Sequence, residues 1–222
     1  MSFDRLAPHY RWMEALFARE RLQRCRVALL DAIPPPEQVL IYGEGNGRFL
    51  AELLRRFPAA RVTVVEESGV MIDLARSRLR RAGLESAEVE FVQADALSWE
   101  PAASAFDFIV TCFFLDCFRE EQLRFLIPRI ASACEGGARW LVSDFRIAAS
   151  GLRRARSRFV VGILYLFFRM MTRLSGRELV DPAPLLQAQG FTCERCVEMD
   201  QGLLYSAVWR HADHASQARR IT

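Results

Sequence analysis

Two kinds of residue in this chain are spaced so that they could do chemistry: glycines at alternating positions, and acids that each close a short apolar run. Val39-Leu40-Ile41-Tyr42-Gly43-Glu44-Gly45-Asn46-Gly47-Arg48-Phe49-Leu50 links an apolar run to a helical start through three alternating glycines. Such glycines allow positive φ and close approach of a ligand, while free N–H groups at the helix start face the bound molecule. The stretch reads as a nucleotide-binding strand, turn and helix. About twenty residues on, where parallel-sheet nucleotide folds place the ribose-binding acid, Arg61-Val62-Thr63-Val64-Val65-Glu66 is a β-branched strand ending in a carboxylate. Val89-Glu90-Phe91-Val92-Gln93-Ala94-Asp95-Ala96 closes on another acid, and Phe106-Asp107-Phe108-Ile109-Val110-Thr111-Cys112 is a fourth strand. Both a dinucleotide and an adenosyl ligand fit this spacing. Against NAD, the sixth position counted from Gly43 is Arg48, where the dinucleotide fingerprint needs its third glycine for close helix packing.

Three further residues could take a proton near neutral pH: His9, Asp116 and Asp144. Each has a plainer alternative, His9 as a lid contact, Asp116 as a helix N-cap before Arg119-Glu120-Glu121, and Asp144 as a hydrogen-bond acceptor at a strand end. His211 and His214 fall in the polar tail. With three histidines and no clustered ligands, no metal site is expected. All 30 basic residues are arginine; the lack of lysine removes Schiff-base chemistry and the P-loop lysine. Cys193-Glu-Arg-Cys196 has neither a second CxxC nor a histidine at zinc spacing.

These residues need a frame. Apolar spacing across 11–32, stopped by Pro34-Pro35-Pro36, predicts a helical lead-in. Strands near 38–42, 61–66, 88–93, 106–112 and 138–144 alternate with helices near 47–57, 69–83 and 119–134, the pattern of an α/β parallel sheet with right-handed crossovers. Gly136-Gly137 reads as the turn before the fifth strand. Residues 150–174 are helical and rich in aromatics, Asp181-Pro182 opens a short helix, and two strands close the chain before a polar tail over 212–222. One domain covers 1–222: a helical cap over 1–36, a ligand-binding core over 37–147, a helical insertion over 148–180 and a final helix and hairpin over 181–211.

Over 39–147 the chain resembles the class I S-adenosylmethionine-dependent methyltransferases. The resemblance implies a Rossmann-like seven-stranded sheet, mostly parallel with the last strand antiparallel, helices on both faces and a helical lid. It implies that Gly43, Gly45 and Gly47 pack under the methionine moiety, that Glu66 holds both ribose hydroxyls, and that Asp95 with Ala96 reaches the adenine. Tyr10 and Cys112 are assigned to the same cofactor site, S-adenosyl-L-methionine being the cofactor implied. Glu44 stands where many members carry a small residue; it either faces the sulfonium or points to solvent. Phe3 to Tyr10, the Phe113-Phe114-Leu115-Asp116 step, Val142-Ser143-Asp144-Phe145 and Gly190-Phe191 are similar to the ubiquinone/menaquinone-biosynthesis C-methyltransferases. That similarity implies an aromatic or prenylated acceptor. In-line methyl transfer needs alignment and desolvation first, so a dedicated base is optional. An NAD(P)-dependent Rossmann oxidoreductase and an inactive adenosyl-ligand scaffold are the alternatives.

Composition narrows the partners. At 222 residues and 51% hydrophobic content the chain can bury one sizeable core. A formal charge of +3 carries no nucleic-acid footprint. Six scattered cysteines and a start lacking a basic-then-apolar leader suggest a reducing cytoplasm. The apolar run over 159–171 contains Arg169 and falls short of the roughly 20 residues that span a bilayer. A helix apolar on nearly every face must be covered. It is either a lid or homodimer contact, or it forms a pocket for a lipid-like acceptor or lies at a membrane interface with Arg153, Arg154, Arg156 and Arg158 on anionic headgroups.

Overall fold

The computed structural model describes residues 19–148, 150–172 and 179–212, with the backbone alone given for 163–172. β1 (Gln38–Tyr42) forms because four of its five residues are buried apolar side chains with both faces covered. β2 (Arg61–Glu66) and β4 (Phe106–Cys112) flank it in parallel, with Tyr42 level with Val65 on one side and Thr111 on the other. β3 (Val89–Gln93) pairs with β2, and β5 (Cys134–Phe145) pairs with β4, Cys112 lying level with Ser143. β7 (Leu204–His211) runs antiparallel between β5 and β6 (Phe191–Met199). The resulting seven-stranded order is β3-β2-β1-β4-β5-β7-β6, in which β7 alone runs against the rest.

This register decides what meets what. Gly43, Glu66, Asp95, Asp116 and Asp144 all follow or close the carboxyl ends of neighbouring strands, and strand order reverses between β1 and β4. A sheet of this kind opens its ligand crevice at that reversal.

Helices α2 (Arg48–Arg56) and α3 (Gly69–Arg81) join β1 to β2 and β2 to β3, and α4 (Glu120–Ser132) joins β4 to β5. Phe49, Leu50, Leu53 and Leu54 of α2 pack on Val39, Ile41 and Val62, one face of the sheet. Leu123, Leu126, Ile127 and Ile130 of α4 cover Leu40, Tyr42 and Trp140 on the other. Burial of each such side chain contributes on the order of 2 kcal/mol, so the two layers, not local propensity, hold the crevice edge in register.

Some sequence expectations change. The described part of the 11–32 helix is α1 (Arg19–Val27), followed by a separate 3-10 turn at Leu30–Ala32. Leu29 and Leu30 turn into the core there, which ends the helix before the prolines are reached. Gly136 and Gly137 lie inside β5, not ahead of it. Phe106 pairs with Cys134 and Phe108 with Arg139, so two steps on β4 face five on β5, and Gly137 at φ 81° absorbs the excess. His211 is the last residue of β7 and packs 4.7 Å from the Phe191 ring, so it does not belong to a tail. α5 (Gly151–Thr172) and α6 (Ala183–Ala188) match the expected insertion helix and short helix, with Asp181 Oδ1 accepting the Ala183 N–H at 3.0 Å.

Candidate active site

The loop after β1 is shaped by what its glycines allow. A Cβ on Gly43 would sit 2.5 Å from Phe114 Cδ2, and one on Gly47 would sit 2.8 Å from the Ala75 Cα. Gly47 is also the left-handed N-cap of α2, with φ 80°, and has no side chain to cap with. Glu44 supplies the missing cap: its Oε1 accepts the Leu50 N–H at 3.0 Å, and Phe49 donates to the same carboxylate. The sequence left Glu44 either to the sulfonium or to solvent. It is neither exposed nor a mere neighbour, since it is buried under the loop as a structural acceptor. Burial pushes its carboxyl up to about 7, against the lowering effect of the helix N–H groups and of Arg26.

At the end of β2, Glu66 Oε2 accepts the Gly45 N–H at 3.0 Å and Oε1 accepts the Ser68 N–H at 3.0 Å. The loop and the acid are therefore one unit. Burial raises the Glu66 carboxyl above its ordinary value while these N–H groups hold it down. Ser68 caps α3 by accepting the Met71 N–H at 3.3 Å. Past β3, Asp95 is exposed, its Oδ1 accepting the Leu97 N–H at 2.9 Å, and Ala96 beside it is buried. A carboxylate that only accepts suits a diol that donates twice. The donor set thus fits an adenosyl ribose at Glu66, with Asp95 and Ala96 further along the same edge.

The ends of β4 and β5 are different. Cys112 is buried, and Phe113 takes φ 53° while its N–H donates to the Ser143 carbonyl at 2.7 Å. That turn sends Phe113 and Phe114 to opposite sides. Phe113 meets Phe145 at 5.1 Å and the Arg26 guanidinium at 5.3 Å. Phe114 lies over Gly43 and meets Tyr42 at 5.7 Å and Phe118 at 5.0 Å. Asp116, in a 3-10 turn at Leu115–Cys117, donates its N–H to Asp144 Oδ2 at 3.1 Å, and Asp144 Oδ1 accepts the Phe145 N–H at 2.8 Å.

The two carboxyl groups also bond to each other. Burial pushes the Asp116 carboxyl up to about 6, and burial together with the Asp116 charge raises Asp144 well above its ordinary range, so the pair keeps its protons to a higher pH than exposed acids do. Two neighbouring acids can keep a base poised where one exposed acid could not. Burial likewise pushes the Cys112 and Cys117 thiols up, so neither offers a thiolate.

Of the sequence candidates, Gly43, Gly45, Gly47, Glu66, Asp95, Ala96 and Cys112 lie along one edge with Asp116 and Asp144. Asp116 is not the N-cap of α4, a place taken by Arg119, whereas Asp144 is the expected strand-end acceptor. His9 and Tyr10 lie outside the described residues. Sequence reasoning missed Arg26, which reaches Phe113 from α1 and lowers the proton affinity of Glu44 and Cys112. One arginine among 30 carries no spacing signal. Among the described residues no group of three acids, thiols or imidazoles could hold a metal. A cavity of about 90 Å³ beside Pro34, Asp107 and Glu135 opens at the amino ends of β4 and β5, away from all of these groups.

Comparison with known proteins adds to this geometry. Residues 39–137 match the methyltransferase domain family. The chain is 33% identical over 130 residues to the trans-aconitate 2-methyltransferase of Variovorax paradoxus (strain S110), covering 57% of this chain and 47% of that protein. It therefore spans less than half the length of this curated relative. Among solved structures, the S-adenosylmethionine-dependent methyltransferase SibL superposes with a TM-score of 0.71 at 21% identity, over 92% of this chain and 58% of SibL. A Burkholderia thailandensis 1,6-didemethyltoxoflavin-N1-methyltransferase with bound 1,6-didemethyltoxoflavin and S-adenosylhomocysteine gives 0.66 at 19%, over 95% and 86%. These likenesses show the fold, and the sheet order, glycine loop and Glu66 agree with it. Residues 39–137 are thus similar to a methyltransferase domain, and the chain shares the fold of these solved methyltransferases.

Proposed function

We propose that this protein transfers the methyl group of S-adenosylmethionine to a hydrophobic, aromatic or lipid-like small molecule, and that the Asp116–Asp144 pair takes the proton the acceptor gives up. The bound cofactor would supply an electrophilic methyl on sulfur. Gly45 and Glu66 would fix its ribose, with Asp95 and Ala96 at the adenine. Phe113, Phe114 and Phe145 narrow the approach and exclude water, which is where in-line displacement gains most of its rate. The observation that carries the proton-transfer reading is the 3.1 Å bond from the Asp116 backbone N–H to Asp144 Oδ2, which sets the half-buried Asp116 beside the buried Asp144 at the ends of β4 and β5. A carboxylate held in this state accepts a proton from a phenol, an amine or an activated carbon.

A second reading has its own support. Arg26 over Phe113 places a cation near the aromatic turn, and the curated relative is named for a carboxylic acid, so a small carboxylate is the competing acceptor. An NAD(P)-dependent oxidoreductase and an inactive scaffold remain the readings outside methyl transfer. Labelled methyl transfer into a cell extract, separated into organic, aqueous, protein and nucleic-acid fractions, distinguishes these. Counts in the organic fraction support a hydrophobic acceptor. Counts in the acidic aqueous fraction favour the carboxylate, and counts confined to protein or RNA refute a small molecule.

A further inference from the structure

The first three turns of α5 have two opposed faces. Ser157 Oγ accepts the Ala148 N–H at 3.1 Å, and Val161, one turn on, packs with Cys25, Leu203 and Leu204. Arg156 on the shoulder pairs with Asp200 at 3.0 Å. Leu152, Ala155 and Phe159, spaced three and four apart, point the other way and are exposed, Leu152 by 90% and Phe159 by 69%. At about 100° per residue this stripe lies roughly opposite Ser157 and Val161. Arg153, Arg154 and Arg158 are exposed; Arg158 flanks the stripe at about 90°, while Arg153 and Arg154 lie about 130° from its centre, one on each side. The helix carries five arginines and no acid, and among the described residues Arg156–Asp200 is the ion pair it makes. No helix among the described residues is long and apolar enough to cross a membrane.

We propose that this face of α5 docks on an anionic lipid bilayer, with Leu152 and Phe159 entering the headgroup boundary, Arg158 at its edge meeting lipid phosphates, and Arg153 and Arg154 adding longer-range attraction. Charge selects this occupant. A second copy seated on the same face would bring arginines against arginines, with no acid on the helix to balance them, whereas an anionic surface supplies the balance. The helix leaves β5 by way of residues 146–148, at the carboxyl edge of the sheet, so docking sets the crevice edge beside the bilayer. The proposal stands on this helix and does not depend on methyl transfer.

Flotation with vesicles of phosphatidylcholine alone, and of phosphatidylcholine with about one third phosphatidylglycerol, tests it. The protein is expected to float with the anionic vesicles, to be released by high salt and to leave the neutral ones. Arg158→Gln should weaken partition about fivefold. Leu152→Ser with Phe159→Ser should weaken it at least tenfold. Because these side chains are exposed, melting temperature and elution volume of the variants should match the parent, which separates lost docking from misfolding. No flotation with anionic vesicles, equal flotation with neutral ones, or unchanged flotation of both variants overturns the proposal. So does a lipid-free dimer that Phe159→Ser dissociates, since that makes the occupant a second copy.

Discussion

The two halves of the crevice treat their acids in opposite ways. On the β1–β2 side, Glu44 and Glu66 are each met by backbone N–H groups and, among the described residues, bonded to no second acid, with two N–H groups for Glu44 from the start of α2 and at least two for Glu66, from Ser68 beside it and from Gly45 across the β1–β2 edge. On the β4–β5 side, Asp144 accepts two N–H groups, one from Phe145 beside it and one from Asp116, 28 residues away, but it also meets the carboxyl of Asp116. Backbone donors hold a carboxylate still, whereas a paired acid shifts the proton balance. The difference separates a part that binds from a part that can exchange a proton, and each can be broken without the other.

The largest effect is expected on the second side. Asp116→Asn and Asp144→Asn should each lower kcat by roughly 10²–10⁴, the range of a lost general base, while affinity for S-adenosylhomocysteine stays within about twofold. In the parent, activity should fall as pH drops, with an apparent midpoint above the ordinary carboxylate range, because both acids are raised. Asp116→Asn should flatten that limb. Equal loss of ligand affinity in these variants would erase the distinction between the halves.

The converse variant is Glu66→Ala. Losing charge-assisted bonds of about 1.5–3 kcal/mol should weaken S-adenosylhomocysteine about tenfold to over a hundredfold by calorimetry, and Glu67→Ala should do much less. Equal affinities would mean that Glu66 is not the ribose acceptor.

Much of the first side was legible in the sequence because it depends on neighbours. Glycine spacing, a β-branched run and a closing acid all lie within one strand and turn, and β1, β2 and β4 fall at their expected residues. The role of Glu44 was not legible, because a helix whose N-cap is Gly47 must borrow an acceptor from the loop, and nothing in the spacing says so. Nor was the pairing of Asp116 with Asp144. Each was a candidate alone, but their contact depends on Cys112 lying level with Ser143, which is set by sheet register. Gly136 and Gly137 misled in the same way: they signal a turn locally, and the pairing of β4 with β5 turns them into an irregularity inside a strand.

Smaller effects sharpen the picture of Glu44. Its carboxyl is raised in the fold, so the stability it allows is full below about pH 4.3 and is lost as pH rises through about 7. Glu44→Gln keeps an acceptor for the Leu50 N–H without the buried charge. By chemical denaturation it should be more stable than the parent at pH 8, by about 3–4 kcal/mol, and indistinguishable at pH 4. Gly47→Ala should cost about 1–2 kcal/mol from its left-handed φ alone, with the 2.8 Å approach to Ala75 adding to it.

The central claim is that the edge formed by Gly43, Gly45, Gly47, Glu66 and Asp95 takes an adenosyl sulfonium ligand. Titration calorimetry of the intact chain with S-adenosylmethionine, S-adenosylhomocysteine and NAD tests it most directly. Binding of both adenosyl ligands, weakened by Glu66→Ala and with no NAD signal, is the expected result; binding of NAD with neither adenosyl ligand would contradict the account.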